Sequence, residues 1–230
     1  MSTKNVLLTA GLALFFVGTM PMARVYAEDE AEATRRGVAL AKKGDYNGAA
    51  EEFTKAIKAN PKSEVAYGNR GRAYRAAGKF SAAEGDFDKL IELDSDNADA
   101  YSERGMAKVS QKKYDEGIAD LDKALKLKED DIDTLRMRAF AYVSKQDFTK
   151  AIEDCTTIVD KKPKDVEAHR RRGYAYASQG NAEKAAADFE TVLQLKPNDP
   201  DATNRLKALH RKTAAPGASP APAATPAASR

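Results

Sequence analysis

Seven-residue windows return along this chain at a fixed interval: "TRRGVAL" from residue 34, "GNRGRAY" from 68, "SERGMAK" from 102, "RMRAFAY" from 136 and "RRRGYAY" from 170. Their starts stand 34 residues apart without a gap, which divides residues 30–199 into five equal copies: 30–63, 64–97, 98–131, 132–165 and 166–199. A period of this length marks a solenoid, in which each copy is one supersecondary unit whose apolar face only its neighbours can cover. One large compact core is excluded, and the composition agrees. Aromatics make up 7% of the chain, Trp is absent and 32% of residues are charged.

With each copy numbered 1–34 from Glu30, position 8 reads Gly37, Gly71, Gly105, Ala139 and Gly173, and position 20 reads Ala49, Ala83, Gly117, Ala151 and Ala185. Small residues at both places let two antiparallel helices approach closely. Their large partners are Phe53, Phe87, Leu121, Cys155 and Phe189 at position 24, and Tyr46, Phe80, Tyr114 and Phe148 at position 17. First helices end at "KKGDY", "AAGKF", "QKKYD", "SKQDF" and "SQGNA", where Gly or a polar residue supports a turn. Second helices such as "AAEEFTKAI" and "GIADLDKAL" carry apolar residues at helical spacing, and Pro61, Pro163 and Pro197 close three copies. After the last copy, Pro200 follows the candidate caps Asn198 and Asp199, and Ala202, Leu206 and Leu209 share one face. Residues 200–212 are expected to form a capping helix.

This arrangement resembles the tetratricopeptide repeat family over residues 30–199. The resemblance implies an all-α fold: a right-handed superhelical solenoid of five helix-turn-helix repeats plus the capping helix, a domain spanning 28–212. Departures include Lys108 where the pattern has Tyr, Ser95 and Glu129 where it has Pro, and Leu90, Ile158 and Val192 where it usually has Ala.

The largest departure is position 7, where the family carries Leu and all five copies carry arginine: Arg36, Arg70, Arg104, Arg138 and Arg172. Position 23 on the second helix is acidic in all five: Glu52, Asp86, Asp120, Asp154 and Asp188. Both positions fall at the seam of the hairpin, where an arginine can lay its stem on apolar neighbours and fork its head onto a carboxylate. The expectation is a structural ladder of ion pairs.

The resemblance also implies a concave face lined by first helices at positions 2, 5, 9, 12 and 13. Candidate peptide-binding residues there are Arg72, Arg75, Met106, Arg136, Phe140, Arg170 and Tyr174. An apolar row flanked by guanidiniums suits a peptide that alternates apolar and acidic residues; the competing role for Phe140 and Tyr174 is packing between repeats. A clamp for C-terminal carboxylates, known in one branch of the family, lacks its residues at Thr34, Val38, Asp99 and Glu103.

No catalytic constellation, nucleophile elbow, phosphate loop or metal-ligand spacing is present in the sequence, so no enzyme activity and no cofactor are expected. Cys155 takes a core slot and reads as an inert thiol. Residues 1–27 have the layout of a signal peptide: Lys4, an apolar run over residues 6–20, Pro21, then "VYA" before "EDE". Removing them lowers the formal net charge from +3 to +1, so charge gives no case for nucleic-acid binding. Acidic Asp99, Glu103, Asp133 and Glu167 on or beside the groove oppose it too.

Export to the periplasm of a Gram-negative cell is expected, with no membrane attachment after cleavage. The alternative is an inner-membrane anchor formed by residues 6–20. From 213 to 230, 12 of 18 residues are Ala or Pro, a composition expected to stay disordered. The expected function is a non-enzymatic scaffold or assembly factor of the cell envelope with a protein or peptide partner. Alternatives are a membrane-anchored subunit of a larger envelope complex and an accessory subunit of an enzyme.

Overall fold

The computed structural model describes residues 22–214, with side chains over 29–211. Most of the expected leader and the Ala/Pro-rich segment beyond residue 214 lie outside these residues. Among the described residues there are helices alone: α1 (Met22–Lys42), α2 (Tyr46–Ala59), α3 (Glu64–Ala76), α4 (Phe80–Leu93), α5 (Ala98–Ser110), α6 (Tyr114–Leu127), α7 (Ile132–Ser144), α8 (Phe148–Lys161), α9 (Val166–Ser178), α10 (Ala182–Leu195) and α11 (Pro200–Ala214). They pair as five hairpins, and α11 packs on α10 at the end. Helix α1 begins ahead of the cleavage point expected after Ala27 and crosses it unbroken, and α11 continues to Ala214. No described helix is long and apolar enough to cross a membrane.

Eight of the described helix starts have a local cause in a capping side chain. The side chains of Asp45, Ser63, Asn97, Asp131, Asp147, Asp165 and Asn181 accept the N–H three residues on, and Asp199 does the same for Ala202. Lys79 and Lys113 stand at this place before α4 and α6 and make no capping bond. Every first helix ends in a left-handed residue at position 15. Gly44, Gly78 and Gly180 take it without strain, while Lys112 (φ 63°) and Gln146 (φ 64°) adopt it with a side chain.

Packing within a hairpin follows the small-to-large rule. A Cβ on Gly71 would lie 2.8 Å from the Phe87 ring, and one on Gly105 would lie 2.8 Å from Leu121, so neither place admits alanine beside its present partner. Copy four inverts the sizes: Ala139 replaces the glycine, Cys155 replaces the large residue, and both are fully buried. This exchange of volume accounts for the lone thiol. Leu90, Ile158 and Val192, the departures from alanine, are buried as well, and Leu90 lies beside Gly68.

First helices also touch one another, α1 to α3, α3 to α5, α5 to α7 and α7 to α9, whereas neighbouring second helices make no comparable contact. A stack held closer on one side curves toward that side. The odd-numbered helices therefore line the concave face, and the core is a row of small clusters along the stack.

Candidate functional site: a seam ladder and a concave groove

The arginine ladder is built from the helix upward. Arg70 has Tyr67 one turn before it and Tyr74 one turn after, and its guanidinium lies 5.6 and 5.8 Å from the two ring centroids. Held there, it reaches across the seam and donates from Nε (2.9 Å) and Nη2 (2.7 Å) to the two oxygens of Asp86. Arg104 donates likewise to Asp120 at 2.8 and 2.6 Å, Arg138 to Asp154 at 3.0 and 2.6 Å, and Arg172 to Asp188 at 2.9 and 2.8 Å. In copy one, Arg36 Nε donates to Glu52 at 2.7 Å and Nη1 turns outward to Glu32. The four aspartates are buried, the Arg36 and Glu32 side chains about half exposed.

Each interior arginine has a third arm. Nη1 crosses to the preceding repeat, to Thr54 at 3.0 Å from Arg70, Asp88 at 2.7 Å from Arg104, Asp122 at 2.6 Å from Arg138 and Thr156 at 3.3 Å from Arg172. The ladder therefore ties hairpins to one another as well as closing each. Sequence reasoning missed these acceptors, although position 25 carries an oxygen in every copy. Lys108, where the pattern has Tyr, adds its ammonium to Asp120 at 2.9 Å. His169 stands where other copies have Tyr67 and Tyr101, with Nδ1 2.8 Å from Asp188 and Nε2 3.0 Å from the Pro163 carbonyl.

Electrostatics follow this geometry. The hydrogen bond to Asp120 raises the Arg104 pKa further above its ordinary value, and in Arg138 the pull of Asp154 and Asp122 outweighs the cost of burial. Burial pushes the Asp86 and Asp154 carboxyls up in spite of their arginines, and it pushes Cys155 to about 12. The thiol is thus uncharged and inert at neutral pH.

On the concave face, the structure commits most of the residues expected to bind peptide. Arg136 donates to the α9 cap Asp165 at 2.7 Å and to Asp133 at 2.6 Å; Arg170 donates to the α11 cap Asp199 at 2.6 Å and to Glu167 at 2.6 Å. These two guanidiniums hold the next first helix in place and are not free donors. Each carboxylate is held below its ordinary range: backbone N–H donors and the arginine outweigh burial at Asp165, and the Ala202 N–H leads at Asp199.

Phe140 and Tyr174 belong to stacks between repeats. Arg171 lies over the Phe140 ring at 5.5 Å and donates to the Arg136 carbonyl at 2.7 Å; Arg205 lies over Tyr174 at 4.9 Å, with Phe148 edge-on at 6.1 Å. In register terms, position 9 of one copy meets position 6 of the next, and Arg72 and Glu103 obey the same rule at 4.0 Å. Arg75 shares Glu103 at 2.9 Å, and Met106 is partly buried. Still exposed are one side of Phe140 (42%), Val65 (62%) and the Arg72 head.

A curved row of hairpins whose inner face shows exposed apolar and charged side chains defines a helical-repeat binding protein. Among the described residues no cluster of His, Cys, Asp and Glu could hold a metal ion. Models of the tetratricopeptide repeat match residues 32–63, 69–132 and 139–209, and the chain belongs to the tetratricopeptide repeat family. No curated protein matches the sequence.

Among solved structures, it is similar to a MamA protein at 26% identity, with a TM-score of 0.67 over 74% of this chain and 93% of that one. YrrB, described as a TPR protein with an unusual peptide-binding site, shares 18% identity and a TM-score of 0.67 over 82% of this chain and 98% of its own. A tetratricopeptide repeat protein from Parabacteroides merdae shares 19% identity and a TM-score of 0.69 over 80% and 73%. The last two show the fold alone.

Proposed function

We propose that this protein is a non-enzymatic scaffold of the cell envelope that holds a peptide segment of a partner protein along its concave row of first helices. Tetratricopeptide proteins bind protein or peptide partners, and that much comes with the family. The groove reading rests on one observation: the inner face displays Val65 (62%) and Phe140 (42%), the two most exposed of the large apolar side chains among the described residues. The envelope reading rests on the leader-like residues 1–27.

The test is affinity capture from envelope fractions with the full chain, tagged at its C-terminus, beside a Val65→Ser, Phe140→Ala double variant. Both side chains are exposed, so helicity should be unchanged. A protein retained by the parent and lost by the variant supports the groove; retention by both refutes it. Helix α1 crosses the expected cleavage point without a break, which favours the second reading of an uncleaved, membrane-anchored chain. Mass determination of the cellular protein decides: residues 28–230 alone would exclude the anchor.

A further inference from the structure

In the last two copies, every groove guanidinium already has its anion. Arg136 and Arg170 hold cap aspartates, Arg171 is bonded to Glu167, and Arg205 to Asp201. The rim beside them is acidic at position 2, where Asp99, Asp133, Glu167 and Asp201 recur along the stack. The first two copies are built differently. Position 2 there is Ala31 and Val65, and of the neighbouring carboxylates Glu30 is taken up by Asn60 and Glu32 by Arg36.

Among the described residues, Arg35, Lys42, Arg72 and Arg75 are the cations placed along the groove at this end. Arg35 and Lys42 are exposed and enter no ion pair among the described residues, although Arg35 holds the position 6 place from which Glu103, Arg171 and Arg205 reach their groove neighbours. Arg72 donates only to the neutral amide oxygen of Asn69 at 3.1 Å. A Cβ on Gly68 would lie 3.5 Å from the Arg72 Nη2, so the guanidinium is folded over a bare stretch of α3. Glu103 is the one carboxylate shared here, at 2.9 Å from Arg75 and 4.0 Å from Arg72, and the pair leaves Arg75 Nε and Glu103 Oε2 buried without a well-aligned hydrogen bond.

We propose that the N-terminal end of the groove receives an acidic stretch of the partner peptide, its carboxylates meeting Arg35, Lys42 and Arg72 and an apolar residue resting on exposed Val65. This rests on the groove reading above and names the chemistry of its occupant. Cations only partly matched by carboxylate at one end, with acid along the far rim, fix the direction in which a segment with one acidic end lies, because the reversed pose sets like charges together.

The experiment is fluorescence polarisation with the full chain and a labelled peptide of alternating Glu and Leu, beside its Gln/Leu counterpart and a single-stranded RNA oligomer of matched charge. The Glu/Leu peptide should bind best and weaken with added NaCl. Arg35→Gln with Arg72→Gln should weaken it about thirtyfold, as two exposed ion pairs at the upper end of their usual strength would. Lys58→Gln with Lys126→Gln, exposed lysines of second helices, removes the same charge and should leave binding unchanged.

Equal weakening by both double variants, no preference for Glu over Gln, or tighter binding of the RNA would each overturn the proposal. Captured partner that is lost by Val65→Ser, Phe140→Ala but kept by Arg35→Gln, Arg72→Gln would overturn it while leaving the groove reading intact.

Discussion

Arg138 offers a test of the ladder within one side chain, because it holds two carboxylates of opposite character. Asp154 closes its own hairpin, is 4% exposed, and accepts both Nε and Nη2; Asp122 belongs to the preceding repeat, is 41% exposed at its side chain, and accepts Nη1 alone. Removing one partner of a buried ion pair costs about 3–5 kcal/mol. The Arg138 head keeps Asp122 and some water, so Asp154→Ala should cost about 2–4 kcal/mol, below that full range. Asp122→Ala breaks a surface pair and should cost about 0–1 kcal/mol.

Asp154→Asn, which keeps the shape and one acceptor, should fall between them. Urea unfolding followed by circular dichroism reads all three through the midpoint and slope, and in heating scans the Asp154→Ala loss corresponds to roughly 5–15 °C. Equal midpoints for Asp154→Ala and Asp122→Ala, or a larger loss for Asp122→Ala, would refute the view that the buried fork within the hairpin carries the stabilisation.

Three further outcomes follow from the same structure. Cys155→Phe should destabilise by about 1–3 kcal/mol through overpacking against Ala139, and Ala139→Gly should restore most of the loss in the double variant, read as a coupling energy in urea. Lys112→Gly and Gln146→Gly should each stabilise by about 0.5–1 kcal/mol, the relief of a left-handed residue less the entropy of a freer unfolded chain, visible as a raised midpoint. Acid should weaken the array through its caps: Asp131 and Asp165 have folded pKa values below the ordinary one, so their stabilisation is complete above about pH 4 and is lost as pH falls through the folded values. An Asp131→Asn, Asp165→Asn variant should therefore show a shallower fall in urea midpoint below pH 4 than the parent. That comparison separates them from Asp86 and Asp154, whose burial-raised values have the opposite pH sign.

The repeat, the hairpin and the pairing of position 7 with position 23 were legible in the sequence because each depends on helical phase and on distances within one copy. Gly71 opposite Phe87, or Arg70 opposite Asp86, is settled by a separation of sixteen residues that builds the same turn every time. Left-handed turns at Lys112 and Gln146 gave only the weak signal of a polar residue, since the conformation is imposed by the helix end and not chosen by the side chain. Asp131 and Asp165 cap α7 and α9 through contacts three residues on, yet nothing local says that an arginine from the previous first helix will share Asp165.

Contacts between repeats were therefore what the sequence alone left open. The rotation from one hairpin to the next decides that Arg138 takes Asp122 as well as Asp154, that Arg136 is bonded to Asp165 instead of facing a ligand, and that Arg171 lies over Phe140. A guanidinium has five donors and a long stem, so its type and spacing leave several acceptors within reach, and only the packed stack selects among them. That selection closes Arg136 and Arg170 in the fourth and fifth copies, leaves the Arg72 head exposed in the second, and adds the exposed Arg35 and Lys42 of the first.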